Sequence, residues 1–151
     1  MIEFFIPGKP APQGSHRHVG RGVLIESSKA VKPWRAAVRA AVLANRIECT
    51  TGPVFVAATF LFTRPAAHYG TGRNAARVKP SAVPHPVGRG VGDLDKLLRS
   101  TLDGLTESGA ITDDAYVVST LARKRWSHTD EVPGAYVSIC PMTPAGEVDH
   151  G

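Results

Sequence analysis

Apolar positions along this chain recur with two different periods, and the periods divide it into elements. MIEFFI opens apolar and predicts a first strand. Val31, Trp34, Val38, Ala41 and Val42 recur at helical spacing, predicting a helix capped by Ser27 or Ser28 and running to about Asn45. Pro33 is compatible with that helix only in its first turn. PVFVAATFLF, residues 53–62, is nearly continuous apolar sequence and predicts a central strand buried on both faces. Leu94, Leu97, Leu98, Leu102 and Leu105 return to the helical period, with Gly109 as a stop just after Glu107 and Ser108. AYVVSTLA from Ala115 and GAYVSIC from Gly134 predict the last two strands. The order strand, helix, strand, long loop, helix, strand, strand fits an α/β (α+β) class, two layers with a mixed sheet against two main helices.

With 151 residues the chain is large enough for one domain with a real core, assigned to 1–140, and PMTPAGEVDHG at 141–151 predicts a flexible tail. Hydrophobic content of 42% with 21% charged residues is ordinary for a globular domain. No apolar run approaches a membrane span, and the amino terminus lacks the layout of a signal peptide. Cys49 and Cys140 are far apart without metal-ligand spacing, which points to reduced thiols in a cytoplasmic setting and away from zinc.

Charge changes the picture. Between Gly92 and Val118, Asp93, Asp95, Asp103, Glu107, Asp113 and Asp114 face only Lys96 and Arg99, a local −4 in a chain of net +5, so the remainder carries +9. An acidic island in a basic protein suggests a hard cation held where a polyanion docks, which is a magnesium-dependent nuclease site. Asp at a helix N-terminus is more often a cap, and Asp-Asp before a strand more often a turn. The combination is what favours a site: D-x-D, a cation one turn on at Arg99, Asp103 a turn further, and a second acid pair after the return. If strand and helix pack together, Asp114 can approach Asp93 and Asp95.

The run DLDKLLRSTLDGLTESGAITDDAYV resembles the signature of the RusA-type Holliday-junction resolvases, especially their phage relatives. PGKPAPQGS, RPAAHYGTGRNAARVKPSAVPHP and the strand ending ARKRW agree with it, so the likeness spans about residues 2–140. The resemblance implies that Asp93, Asp95 and Asp114 bind the catalytic Mg²⁺, with Mn²⁺ as a substitute, and that Asp103 and Asp113 support them. Arg99 stands where the best-known members have a lysine; it keeps the charge but not a titratable amine. Lys96 stands where asparagine is common and shares the charge role. The resemblance also implies a homodimer, branched DNA as the partner, and the cytoplasm of a bacterial or phage-infected cell.

The loops carry the cations. PGKPAPQGSHRHVGRG holds Lys9, Arg17 and Arg21 without an acid, and residues 64–90 hold Arg64, Arg73, Arg77, Lys79 and Arg89, again without one. Both read as loops that grip a phosphate backbone, with solvated loops as the plain alternative. Lys32 and Arg35 lie on a one-signed stripe of the first helix and Lys124 in the basic strand, further candidate DNA contacts. His16 and His18 lack a metal partner at suitable spacing; His68 and Tyr69 suit DNA contact and surface packing equally. GRGVGD follows no strand and fails as a nucleotide-binding fingerprint. The expected activity is metal-dependent hydrolysis at four-way junctions. Its rivals are a nuclease for forks or flaps and a basic module that binds nucleic acid without chemistry.

Overall fold

A computed structural model describes residues 1–14, 16–18, 24–26, 29–88 and 90–144, with backbone alone for 16–18 and 24–26. The strands are β1 (Ile2–Pro7), β2 (His16–His18), β3 (Leu24–Glu26), β4 (Val54–Phe62), β5 (Val117–Trp126) and β6 (Gly134–Pro141). The helices are α1 (Val31–Ala44) and α2 (Leu94–Glu107). Four strands form one sheet in the order β1-β6-β4-β5, with β4 and β5 parallel and the other pairs antiparallel. The expected two-layer α+β arrangement with a mixed sheet is therefore what the chain adopts. A small antiparallel hairpin, β2–β3, lies within the first Pro/Gly-rich loop, which the sequence predicted to be irregular. No helix among the described residues is long and apolar enough to cross a membrane.

The sheet buries one face. Along β4, Val54, Val56, Ala58, Phe60 and Phe62 are buried in the same core cluster as Trp34, Leu97 and Leu105. Phe55, Ala57 and Thr59, which alternate with them, are only half-buried. The expectation of burial on both faces holds only near the end of β4, where Leu61 on the second face is also fully buried; along the rest of the strand that face is half-buried, since a pleated strand sends alternate side chains to opposite faces.

The inward stripe expected of α1 is realised, since Val31, Trp34, Val38, Ala41 and Val42 are all buried. Trp34 Nε1 donates to Thr101 Oγ1 at 3.0 Å, which satisfies the indole in the core. Arg35 and Arg39 then reach Asp103 and Glu107, at 3.2 Å and 3.0 Å. Residue numbers on both helices rise together through these contacts, so α1 and α2 run parallel and their N-termini share one end of the molecule. The close approach is permitted by Gly104, where a Cβ would meet Val38 side-chain atoms at 2.9 Å.

The segment from Arg64 to Gly90 is not structureless. Short 3-10 turns at Ala66–His68 and Gly72–Asn74 and a bridge between Tyr69 and Val78 fold it back on itself. Trp126 Nε1 donates to Val83 O at 3.1 Å, and the Arg64 guanidinium lies 5.4 Å from the centre of the Trp126 ring. Of the anticipated tail, Met142 N still donates to Pro53 O at 2.9 Å, while residues 145–151, like Ser27 and Ser28, lie outside the described residues.

The seam between the helices gives the first prediction. Gly104→Ala pushes α2 off Val38 and lowers stability by about 1–3 kcal/mol, the usual cost of overpacking. Adding Val38→Ala recovers part of the loss, as thermal unfolding of the single and double variants will show. Additive losses would mean that the two positions do not press on each other.

Candidate active site and nucleic-acid interface

Asp93 sits at the N-cap position of α2, yet its side chain makes no capping hydrogen bond. Its backbone carbonyl accepts from Leu97 N at 2.9 Å, while its carboxylate is 73% exposed and only loosely paired, 3.8 Å from Lys96 Nζ. A carboxylate relieved of the usual cap duty is available to an outside ligand. Asp95 and Arg99 follow on exposed positions of the same helix.

The turn holding Asp93 is clamped from two sides. Gly92 has φ +92°, and a Cβ there would meet Pro12 Cγ at 2.5 Å, so both backbone and packing demand glycine. From β5, Lys124 Nζ donates to Gly92 O at 3.0 Å. Pro12 belongs to a segment stitched along α2: Ser100 Oγ donates to Ala11 O at 2.6 Å and Gln13 N to Lys96 O at 3.0 Å. The first Pro/Gly-rich loop thus leaves the body of the protein beside the start of α2.

The second acid group follows the end of the same helix. Asp113 caps a single 3-10 turn, Asp114–Tyr116, by accepting from Ala115 N at 2.9 Å, and that bond holds its carboxyl below the usual range. Here the ordinary turn role of an Asp is fulfilled. Asp114 is pushed up, first by its hydrogen bond with Asp113, then by partial burial, then by repulsion from Asp113 and Asp103. The structure therefore brings Asp113 and Asp114 together, with Asp103 near enough to act on Asp114. Asp95 precedes Asp103 by eight residues, about 12 Å along a helix axis. Among the described residues, no three His, Cys, Asp or Glu side chains stand close enough to hold an ion. The donors are all carboxylate oxygens, the chemistry that suits Mg²⁺ or Mn²⁺. Within one chain they form two groups along α2, not one.

The candidate DNA contacts separate in the same way. Arg35 is committed internally, donating to Gln13 Oε1 at 2.6 Å and pairing with Asp103 and, at 3.6 Å, with Glu107. Lys124 is half-buried on Gly92. Lys9, Lys32, Arg73, Arg77 and Lys79 have exposed side chains, the last three on the folded-back loop. The side chain of Arg17, and Arg21 and Arg89 entirely, lie outside the described residues. Sequence reasoning missed the structural employment of Arg35 and Lys124, because a basic residue looks the same whether its partner is a phosphate or a backbone carbonyl. It also missed Gly92 as the clamped turn of the site; a glycine directly before D-x-D was the available signal.

Lys124→Met is expected to raise amide exchange at residues 92–96 by about tenfold, the loss of one bond from a charged donor, while DNA affinity keeps its salt slope. Hydrogen exchange together with a salt titration checks this. If exchange is unchanged and the slope falls by about one, Lys124 is a phosphate contact instead.

A comparison with curated proteins found no significant match. The family model described as endodeoxyribonuclease RusA matches residues 7–140, which takes in both acid groups, the clamped Gly92 turn, both main helices and the sheet strands β4 and β5. That match covers most of the 151 residues, and the chain belongs to the RusA endodeoxyribonuclease family.

Proposed function

We propose that this protein is a metal-dependent, structure-selective endodeoxyribonuclease that hydrolyses phosphodiesters at four-way DNA junctions, in recombination, repair or phage DNA processing. The observation that carries the reading is Asp93, at a helix start yet exposed and free of capping, in a family of endodeoxyribonucleases. Asp93, Asp95 and Asp114 would hold Mg²⁺, with Asp103 and Asp113 beside Asp114. When bound, the ion supplies Lewis acidity toward the phosphate and a more acidic bound water. The chain's own residues then do the rest. Lys124 and Pro12 fix the Gly92 turn and so the bearing of Asp93. Arg99, exposed one turn after Asp95, lies where a cation can steady charge building on the phosphate oxygens. The +9 outside the acidic stretch attracts the DNA without regard to sequence.

The separation of the two acid groups supports the homodimer as part of the reading. A two-fold pairing would let Asp93 and Asp95 of one copy share a site with Asp114 of the other, and a two-fold protein matches the symmetry of a four-way junction. Residues 114–121 favour such pairing: β5 is an edge strand whose Val118 and Leu121 are 60% and 50% exposed, and Tyr116 in the turn just before it is 43% exposed. An exposed apolar edge is a ready place for a second chain.

Complementation tests both halves of this. Asp95→Asn and Asp114→Asn each retain junction binding and lose Mg²⁺-dependent cutting. Mixed under subunit exchange, they regain cutting of one strand, because one site per heterodimer keeps both carboxylates. Silence of every mixture would place the carboxylates in one chain, and undiminished cutting by Asp95→Asn alone would defeat the assignment. Arg99→Ala is expected to lower turnover far more than binding, read as a fall in kcat with KM nearly constant. Equal losses of both would make Arg99 a plain phosphate contact. A parallel digest of junction, fork, flap and linear duplex decides the substrate.

A further inference from the structure

A second feature stands beside the Gly92 turn at the end of the molecule where α1 and α2 both begin. It is a cavity of about 550 Å³ walled by Phe62, Val83, Val87, Val91, Pro133 and Trp126, with His68 and Lys9 at its margin. Among the described residues, no acid contributes to the wall. From this cavity we infer a binding site for a single unstacked nucleobase, with Lys9 placed for the phosphate attached to it. The inference rests on the DNA-processing reading and names what the same surface recognises.

Size and chemistry both favour this occupant. Pockets of 300–1,000 Å³ with mainly apolar walls suit flat organic ligands, and an extruded base is read by stacking against aromatic and apolar side chains. Trp126 is held for that task. Its ring nitrogen is fixed on Val83 O at 3.1 Å, His68 meets it edge-on with ring centres 5.4 Å apart, and Arg64 lies over the ring. Arg64 contributes to a neighbouring cavity on Trp126 and not to this one, so it does not fill the space. These three contacts hold the indole of the last residue of β5 as one wall of the cavity.

Charge argues for a nucleotide over an apolar peptide. Residues 64–91, which supply Pro65, His68, Val83, Val87 and Val91 to the wall, contain no acid in their sequence, while Arg64, Arg73, Arg77 and Lys79 belong to the same stretch. Lys9 approaches from the opposite loop and is exposed, without a hydrogen bond or ion pair among the described residues. An aromatic and apolar slot with a cation at its edge, here Lys9, is how single-stranded nucleic acid is gripped. Val91 is two residues from Asp93, so a base lodged here lies close in the chain to the first acid group. A branch point, where pairing is interrupted, offers bases that cost least to unstack.

The test uses the intact protein in EDTA, where no cutting can occur. A four-way junction carries 2-aminopurine at one branch-point position, and a second junction carries an abasic site there. Val87, 68% exposed, is changed to Glu, which places a negative charge at the mouth without disturbing the core. The analogue's emission should change saturably on binding to the unaltered protein and stay unchanged with Val87→Glu. The abasic junction should bind the unaltered protein about tenfold more weakly, in line with the loss of one stacked base, and Val87→Glu no more weakly than the complete junction. Linear duplex affinity should fall equally little for both proteins. Equal effects of Val87→Glu on duplex and junction, or indifference of the unaltered protein to the abasic site, would overturn the inference. A protein that passes this test but never cuts DNA would sink the nuclease reading alone; one that cuts yet ignores the abasic site would sink the base site alone.

Discussion

The constraint behind this structure is the parallel pairing of β4 with β5. Parallel neighbours cannot be joined by a tight turn; the chain must travel back the length of the sheet before the second strand begins. Here that return is α2, which therefore runs opposite to both strands. Its first turn lies by the end of β5, where Lys124 reaches Gly92, and its last turn by the start of β4, where Thr50 N donates to Ala110 O at 3.0 Å. The positions of both acid groups follow from that single run of the chain. Asp93 and Asp95 begin the crossover, and Asp113 and Asp114 end it.

The same return brings the loops together. Residues 63–92 leave the end of β4 and lead into α2, so they cover the end of the sheet where β5 also finishes. Because α1 runs parallel to α2, the loop preceding α1 arrives at that end too. Lys9, two helix N-termini and the Trp126 cavity consequently gather at one end. Helix N-termini carry partial positive charge, which adds to the cations in drawing a polyanion to that end. The opposite, uncovered face of the sheet keeps Phe55, Ala57 and Thr59 only half-buried.

The second acid group carries an electrostatic cost. Asp113 and Asp114 crowd each other, and Asp103 adds repulsion, so Asp114 holds its proton more tightly than an ordinary aspartate. A fold selected for stability alone would relieve such crowding with a cation. Arg35 is close at hand for Asp103, but it is shared with Gln13 and Glu107. The negative charge left over is what a divalent ion would neutralise.

Much was legible in the residues themselves. The helical stripes of α1 and α2, the apolar run of β4 and the D-x-D opening α2 are local patterns, and local sterics with burial of one face are enough to read them. The buried set Val31, Trp34, Val38, Ala41 and Val42 emerged from spacing alone. Asp113 as a turn former was equally local. What the residues did not disclose was distance through space. Packing a strand against a helix does not bring its first residue to the helix's first residue when the connection is short and the helix is about 21 Å long. The far end of β5, at Lys124, is what reaches Gly92, so the start of that strand lies away from it and tertiary structure put Asp114 by Asp103. Only tertiary structure, likewise, assigned Arg35 to Asp103 and Lys124 to Gly92, since a cation's charge declares what it attracts and not which partner the fold will place within its reach.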